Sequence, residues 1–226
     1  MNQKPPIINK KFNYEQLEKV SSSNGKRYYK TPLGDVESVT TILSKTKDMT
    51  KINEWRERIG NDKANKELKQ ATDLGTLLHQ HLELWLKEKE RPHGTNLIRK
   101  MAENMSNSII ENGLKYVNEI WGIEETLYYP NLYAGTTDLV GLYNNKPCIM
   151  DFKNSKKIKK EEWIEDYYLQ GCAYVHAHNE LFNTSIKDVV VFMVDREYNH
   201  KIFHINGNDF DYYSNKWIKR LKKYFK

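Results

Sequence analysis

The chain of 226 residues holds only two cysteines, Cys148 and Cys172, each set inside an apolar pattern. Two cysteines so placed cannot build a zinc or iron–sulfur framework, and they point to a reducing, cytosol-like compartment. No apolar run approaches the roughly 20 residues that a membrane span requires. The segment from Met1 to Lys11 lacks the hydrophobic stretch of a secretory signal, and it lacks the arginines and amphipathic spacing of a mitochondrial transit peptide. A soluble cytoplasmic protein without a membrane partner is expected. There is no internal repeat, and the one low-complexity stretch, Ser21-Ser22-Ser23-Asn24-Gly25, reads as a flexible loop.

What is present is positive charge and aromatic surface. The net charge is +6, with 15 tyrosines and 5 tryptophans. Cations for phosphates and rings for bases fit a nucleic-acid partner, although lysine and asparagine enrichment also follows from an AT-rich genome. The length suits one domain with a full core. Nothing in the chain sets an oligomeric state; a monomer is the working expectation.

Periodicity divides the chain. Residues 1–37 read as an arm, loose over the first eleven residues, followed by a short strand and turn at 27–35; residues 38–226 read as a single domain. Helical spacing covers 52–70, and a clearer apolar stripe of Leu74, Leu77, Leu78, Leu82, Trp85 and Leu86 follows, with Thr72 and Asp73 as cap candidates. Another helix is expected over 96–117, stopping or kinking near Gly113, so that about 50–118 would form a helical cover. The period then turns strand-like at 124–129, 133–143 and 146–153, returns to helix at 161–179, gives two more strands at 189–195 and 201–206, and ends in a helix over 209–225. The expected class is α/β in the α+β sense: a central mixed sheet flanked by helices, with a helical N-terminal half.

Chemistry concentrates in the second half. Gly135-Thr136-Thr137-Asp138 opens an apolar strand, and Cys148-Ile149-Met150 leads into Asp151-Phe152-Lys153. Alternation sends Asp151 and Lys153 to one face and Met150 and Phe152 to the core. Asn144-Asn145 reads as the hairpin turn that brings Asp138 beside Asp151. Two neighbouring carboxylates repel each other unless a cation intervenes, and their hard oxygens favour Mg²⁺ or Mn²⁺. The lysine would orient or deprotonate a water, and together these are the parts of a metal-dependent phosphodiesterase. Gln170 and Tyr174, four apart on the next helix, could hold a phosphate, and the basic run at Lys156 and Lys157 precedes them. His79 and Glu83 share a flank of the 74–86 stripe as further candidate ligands. His81 lies within the stripe and reads as a core histidine.

In order, Gly75-Thr76-x-x-His79, Gly135-Thr136-Thr137-Asp138, Asp151-Phe152-Lys153 and Gln170-x-x-x-Tyr174 resemble the RecB-type branch of the PD-(D/E)xK nuclease superfamily. Ser38 to Leu43, Trp55, the run Asp151 to Lys157 and Leu169 to Tyr174 resemble its subgroup of mitochondrial genome maintenance exonucleases and their phage relatives. The resemblance spans about 38–195 and implies a restriction-endonuclease-like core. It implies Asp138, Asp151 and His79 as metal ligands with the Phe152 carbonyl, and Lys153 as the residue acting on water. Gln170, Tyr174, Ser155, Lys156 and Lys157 would contact DNA, and Glu125 or Glu124 loosely matches a further acidic position. Many RecB-type relatives carry four cysteines for an iron–sulfur cluster; this chain cannot, which places it with the cluster-free members.

The activity so implied is a DNA exonuclease using one or two Mg²⁺ or Mn²⁺ ions, acting on single-stranded ends and leaving 5′-phosphates. DNA repair or recombination in a bacterial or virus-infected host cytosol would suit it. The rivals are a flap or junction endonuclease with the same core, and a non-catalytic nucleic-acid-binding protein that kept the fold.

Overall fold

The computed structural model describes residues 3–21 and 27–226. Positions 22–25 of the serine-rich loop expected from the sequence lie outside the described residues. Residues 7–12 are not the loose arm expected from the sequence. Strand β1 (Ile7–Ile8) pairs in parallel with β5 (Val117–Tyr129), and the Asn9 amide donates to the Ile120 carbonyl at 2.7 Å. Phe12 then packs edge-on against Trp121 and His178. Ile7 and Ile8 are exposed, so backbone pairing and the Phe12 ring are what dock a segment too short for a period-2 pattern to reveal.

Strands β2 (Glu18–Ser21), β3 (Arg27–Thr31) and β4 (Gly34–Ser38) form an antiparallel meander. Ser38 ends β4 and caps helix α1 (Val39–Thr46), its hydroxyl accepting the Thr41 amide at 3.1 Å. Helix α2 (Thr50–Ile59) stops at Gly60, whose φ of 83° a side chain would resist. Helix α3 (Asn61–Leu86) then runs unbroken through the expected cap at Thr72-Asp73. Those side chains satisfy themselves within the helix instead: the Thr72 hydroxyl donates to the Leu68 carbonyl at 3.0 Å, and Asp73 pairs with Lys69 at 2.8 Å. Helix α4 (Leu97–Asn112) is capped by Asn96 and closed at Gly113.

Strand β5 starts earlier than its sequence suggests, because bulges between Val117 and Glu119 and between Ile120 and Gly122 break the alternation. It pairs along the whole of β6 (Tyr133–Tyr143), which turns into β7 (Lys146–Ser155) through Asn144 and Asn145, at φ 47° and 63°. Two left-handed residues in sequence match the twist of a tight hairpin. From β7 the chain crosses through α5 (Glu165–Phe182) to the parallel strand β8 (Asp188–Asp195), then to antiparallel β9 (His200–Ile205) and α6 (Gly207–Tyr224).

Among the described residues the result is a nine-stranded mixed sheet in the order β2-β3-β4-β6-β7-β8-β9, with β5 and then β1 added on the other edge of β6. Helices cover both faces, as expected for the α+β class. Alternation along β7 sends Ile149 to the side of α1, α5 and α6, where Ile42, Leu169 and Trp217 are buried. It sends Met150 and Phe152 to the side of α3 and α4, against Leu78, Leu82, Met105 and Ile109. Each such side chain contributes about 1.5–3 kcal/mol by leaving water. No helix among the described residues is long and apolar enough to cross a membrane.

Candidate metal centre and active site

The site lies where the sheet forks. On the edge of β6 facing away from β5, β4 pairs with Tyr133 and Ala134, and β7 pairs with Leu139 to Tyr143; residues 135–138 between them face neither strand. Where a ladder would set Asp138 opposite Asp151, the Asp138 side chain takes over the bonding. Its Oδ2 accepts the Phe152 amide at 2.7 Å. Gly135 lets Tyr174 approach closely here, since an added Cβ would lie 2.6 Å from the Tyr174 ring.

Two further groups reach Asp138. Glu124 lies across from it in the β5–β6 ladder, between the pairs Ile123↔Leu139 and Glu125↔Thr137, so both side chains leave the same face. Its backbone is left-handed, at φ 56°. From α3, His79 places Nε2 2.9 Å from the Phe152 carbonyl. With that nitrogen occupied, Nδ1 faces Asp138 Oδ1 at 3.3 Å and Glu124 Oε1 at 3.8 Å. One donor atom from each of His79, Glu124 and Asp138 falls within 4.8 Å of the others.

Asp151 and Lys153 stand beside this group. Asp151 Oδ2 lies 2.5 Å from the Lys153 ammonium, and Gln170 Nε2 donates to both Asp151 Oδ1 (3.4 Å) and the Tyr174 hydroxyl (3.1 Å). Burial pushes the Asp151 carboxyl up to about 6 against the pull of Lys153, with Asp138 adding repulsion. Burial also opposes charge on Asp138, but the His79 charge and hydrogen bond prevail and hold it below the usual carboxylate range. The same pairing, working against desolvation, lifts His79 to about 10. Lys153 is held above its ordinary value because Asp151 and Asp138 outweigh its burial.

An imidazole and two carboxylates converging on one point, with a proton in their midst, are a fitting donor set for a divalent cation of the hard-oxygen class. His79, Glu124 and Asp138 would hold the ion in place of the His79 proton. This is consistent with divalent metal use.

The structure distributes the remaining expected residues unevenly. Asp138, Asp151, Lys153, His79, Gln170 and Tyr174 are brought together. The Phe152 carbonyl is present but already bonded to His79. Glu83 lines the same cleft yet pairs with Lys87 at 2.6 Å, and it stands outside the three-donor group. Glu125 alternates to the opposite face of β5 from Glu124 and accepts from Gln16 at 2.7 Å. The Ser155 hydroxyl donates to the Lys157 carbonyl at 2.7 Å, and Lys156 pairs with Glu67 at 3.0 Å at the cleft wall. Lys157 is exposed and does not line the cleft, whereas Lys159, which the sequence reading passed over, does. Lys19 and Arg27 line it too and had no role from sequence: Arg27 falls in the expected short strand, but strands of four and five residues do not show which face meets a cleft. The cleft encloses about 1050 Å³.

No family model matches the chain. It is 28% identical to Mitochondrial genome maintenance exonuclease 1 of Homo sapiens, over 94% of this chain and 65% of that protein. It is 26% identical to the Xenopus tropicalis protein of the same name, over 85% of this chain and 58% of that protein. The chain therefore spans less than two thirds of the length of these curated relatives. Its fold is similar to that of a Eubacterium rectale protein whose crystal structure carries a provisional exonuclease name, with a TM-score of 0.50 and 14% identity over 68% of this chain and 64% of that one. These likenesses bear out the resemblance to nucleases of the RecB-like PD-(D/E)xK type.

Proposed function

We propose that this chain is a divalent-metal-dependent deoxyribonuclease that hydrolyses DNA from single-stranded ends and leaves 5′-phosphates. The observation that carries the reading is the meeting of the His79–Glu124–Asp138 donor group with the Asp151–Lys153 pair at the open fork of β6 and β7. The exonuclease names of the human and frog relatives support it.

A Mg²⁺ or Mn²⁺ ion held by His79, Glu124 and Asp138 would supply Lewis-acid stabilisation of phosphoryl charge. The protein's own groups do the rest. Lys153, kept protonated by its two aspartates, orients the attacking water and balances negative charge on the phosphoryl oxygens. As the water oxygen bonds to phosphorus, its proton passes to Asp151, whose carboxyl burial pushes up to about 6, and the bond to the 3′-oxygen breaks as that oxygen takes a proton from solvent water. The products are a 5′-phosphate and a 3′-hydroxyl. Gln170 braces Asp151 against Tyr174, so its first task is to position the base, and its cleft-facing amide contacts the strand. Lys156 and Lys159 on the wall meet the backbone phosphates.

The test is digestion of linear and circular single-stranded DNA with Mn²⁺, beside an EDTA control. Loss of the linear substrate alone, stopped by EDTA, supports the proposal. Cutting of the circle would assign an endonuclease instead, and DNA binding with no cutting of either would assign a non-catalytic role.

A further inference from the structure

The β2–β3 hairpin carries charge that the catalytic group does not use. Register pairs Lys19 with Tyr29 and Ser21 with Arg27, so Lys19, Arg27 and Tyr29 leave the same face. On the outer face Glu18 and Lys30 neutralise each other at 2.9 Å. On the inner face Lys19 and Arg27 line the same cleft as His79, Glu124 and Asp138, and neither forms an ion pair among the described residues.

Two anchors hold this face toward the fork. The Tyr29 hydroxyl bonds Thr136 Oγ1 at 3.1 Å, two residues from Asp138. The Arg27 backbone bonds the Thr41 hydroxyl of α1 through both its amide and its carbonyl, each at 3.3 Å. Lys19 loses some of its affinity for a proton first to desolvation and then to Arg27, while Glu124 acts in the other direction. The ammonium thus lies within the field of both the second cation and the acidic group. Two like charges on one face of the hairpin, neither of them ion-paired among the described residues, leave a deficit that an anion would fill.

We propose that Lys19 and Arg27 form a second phosphate subsite, which grips the backbone phosphate adjoining the one being cut. The subsite rests on the nuclease reading above and gives it a shape: a substrate of at least two consecutive phosphates, one at the metal group and one at the hairpin.

The test compares a dinucleotide, which has one phosphodiester, with a tetranucleotide, which has three, using kcat/KM in Mn²⁺. The ratio is read, so any loss of folded protein cancels. The native chain should favour the tetranucleotide. In Lys19→Ala/Arg27→Ala the ratio should fall through KM, to what the wall cations Lys156 and Lys159 alone sustain, while the charge-keeping Lys19→Arg/Arg27→Lys pair should restore it. The salt dependence of tetranucleotide binding should also flatten by about 0.7 log unit per log unit for each cation removed. An unchanged ratio in the alanine pair would overturn the subsite and leave the nuclease reading intact. If the native chain cut neither oligonucleotide, both would fall.

Discussion

Asp138 accepts the Phe152 amide through Oδ2 at 2.7 Å, one step past Leu139↔Met150, where the β6–β7 ladder stops. The carboxylate thus closes the fork and faces His79 with its other oxygen. Asparagine keeps an acceptor there and loses the charge; alanine loses both and leaves a buried amide unsatisfied. Asp138→Ala should therefore be less stable than Asp138→Asn by about 1–3 kcal/mol in metal-free urea unfolding. Both should lose cleavage.

His79 carries its proton well above neutrality when metal-free, at about 10. A cation must displace that proton, so its binding weakens as pH falls. Mn²⁺ affinity should rise by about tenfold per pH unit across the range below pH 9. Calorimetry in buffers of different ionisation enthalpy should detect about one proton released per ion bound, and none in His79→Ala. The metal-free fold responds in the opposite direction: His79, with its raised value, stabilises it fully below pH 6.5, and that contribution fades as pH rises through 10.

Lys153 should act on the chemical step more than on binding. Lys153→Ala should lower kcat by about 10²- to 10⁴-fold, with oligonucleotide affinity in Ca²⁺ changed little. A loss confined to KM would assign the lysine to substrate binding instead.

At Gly171 helix α5 packs closely on β8. A Cβ there would lie 2.2 Å from Val189 Cγ1. Although alanine is the better helix former, Gly171→Ala should cost about 1–3 kcal/mol of stability by overpacking. Adding Val189→Ala should recover part of it, as read by chemical denaturation.

Much of the site could be read from local pattern. Alternation from Ile149 to Lys153 and the turn residues Asn144 and Asn145 are properties of neighbouring residues, and the hairpin places Asp138 by Asp151 as they imply. The stripe from Leu74 to Leu86 likewise fixes the face of α3 that carries His79. What escaped was set at a distance. The start of α3 depends on Gly60 rather than on Thr72, whose hydroxyl had an equal partner inside the helix. Strand β1 exists because β5 is there to pair with it. Glu124 and Glu125 are indistinguishable as letters; only the ladder to β6, entered after two bulges, decides which one meets Asp138.

That last distinction offers the most direct test. The measurement is the Mn²⁺-dependent cleavage rate of a linear single-stranded oligonucleotide by Glu124→Gln and Glu125→Gln, side by side. A metal centre built from His79, Glu124 and Asp138 predicts collapse of the rate in Glu124→Gln and a rate near that of the native chain in Glu125→Gln. Equal rates in the two variants, or the reverse order, would contradict it.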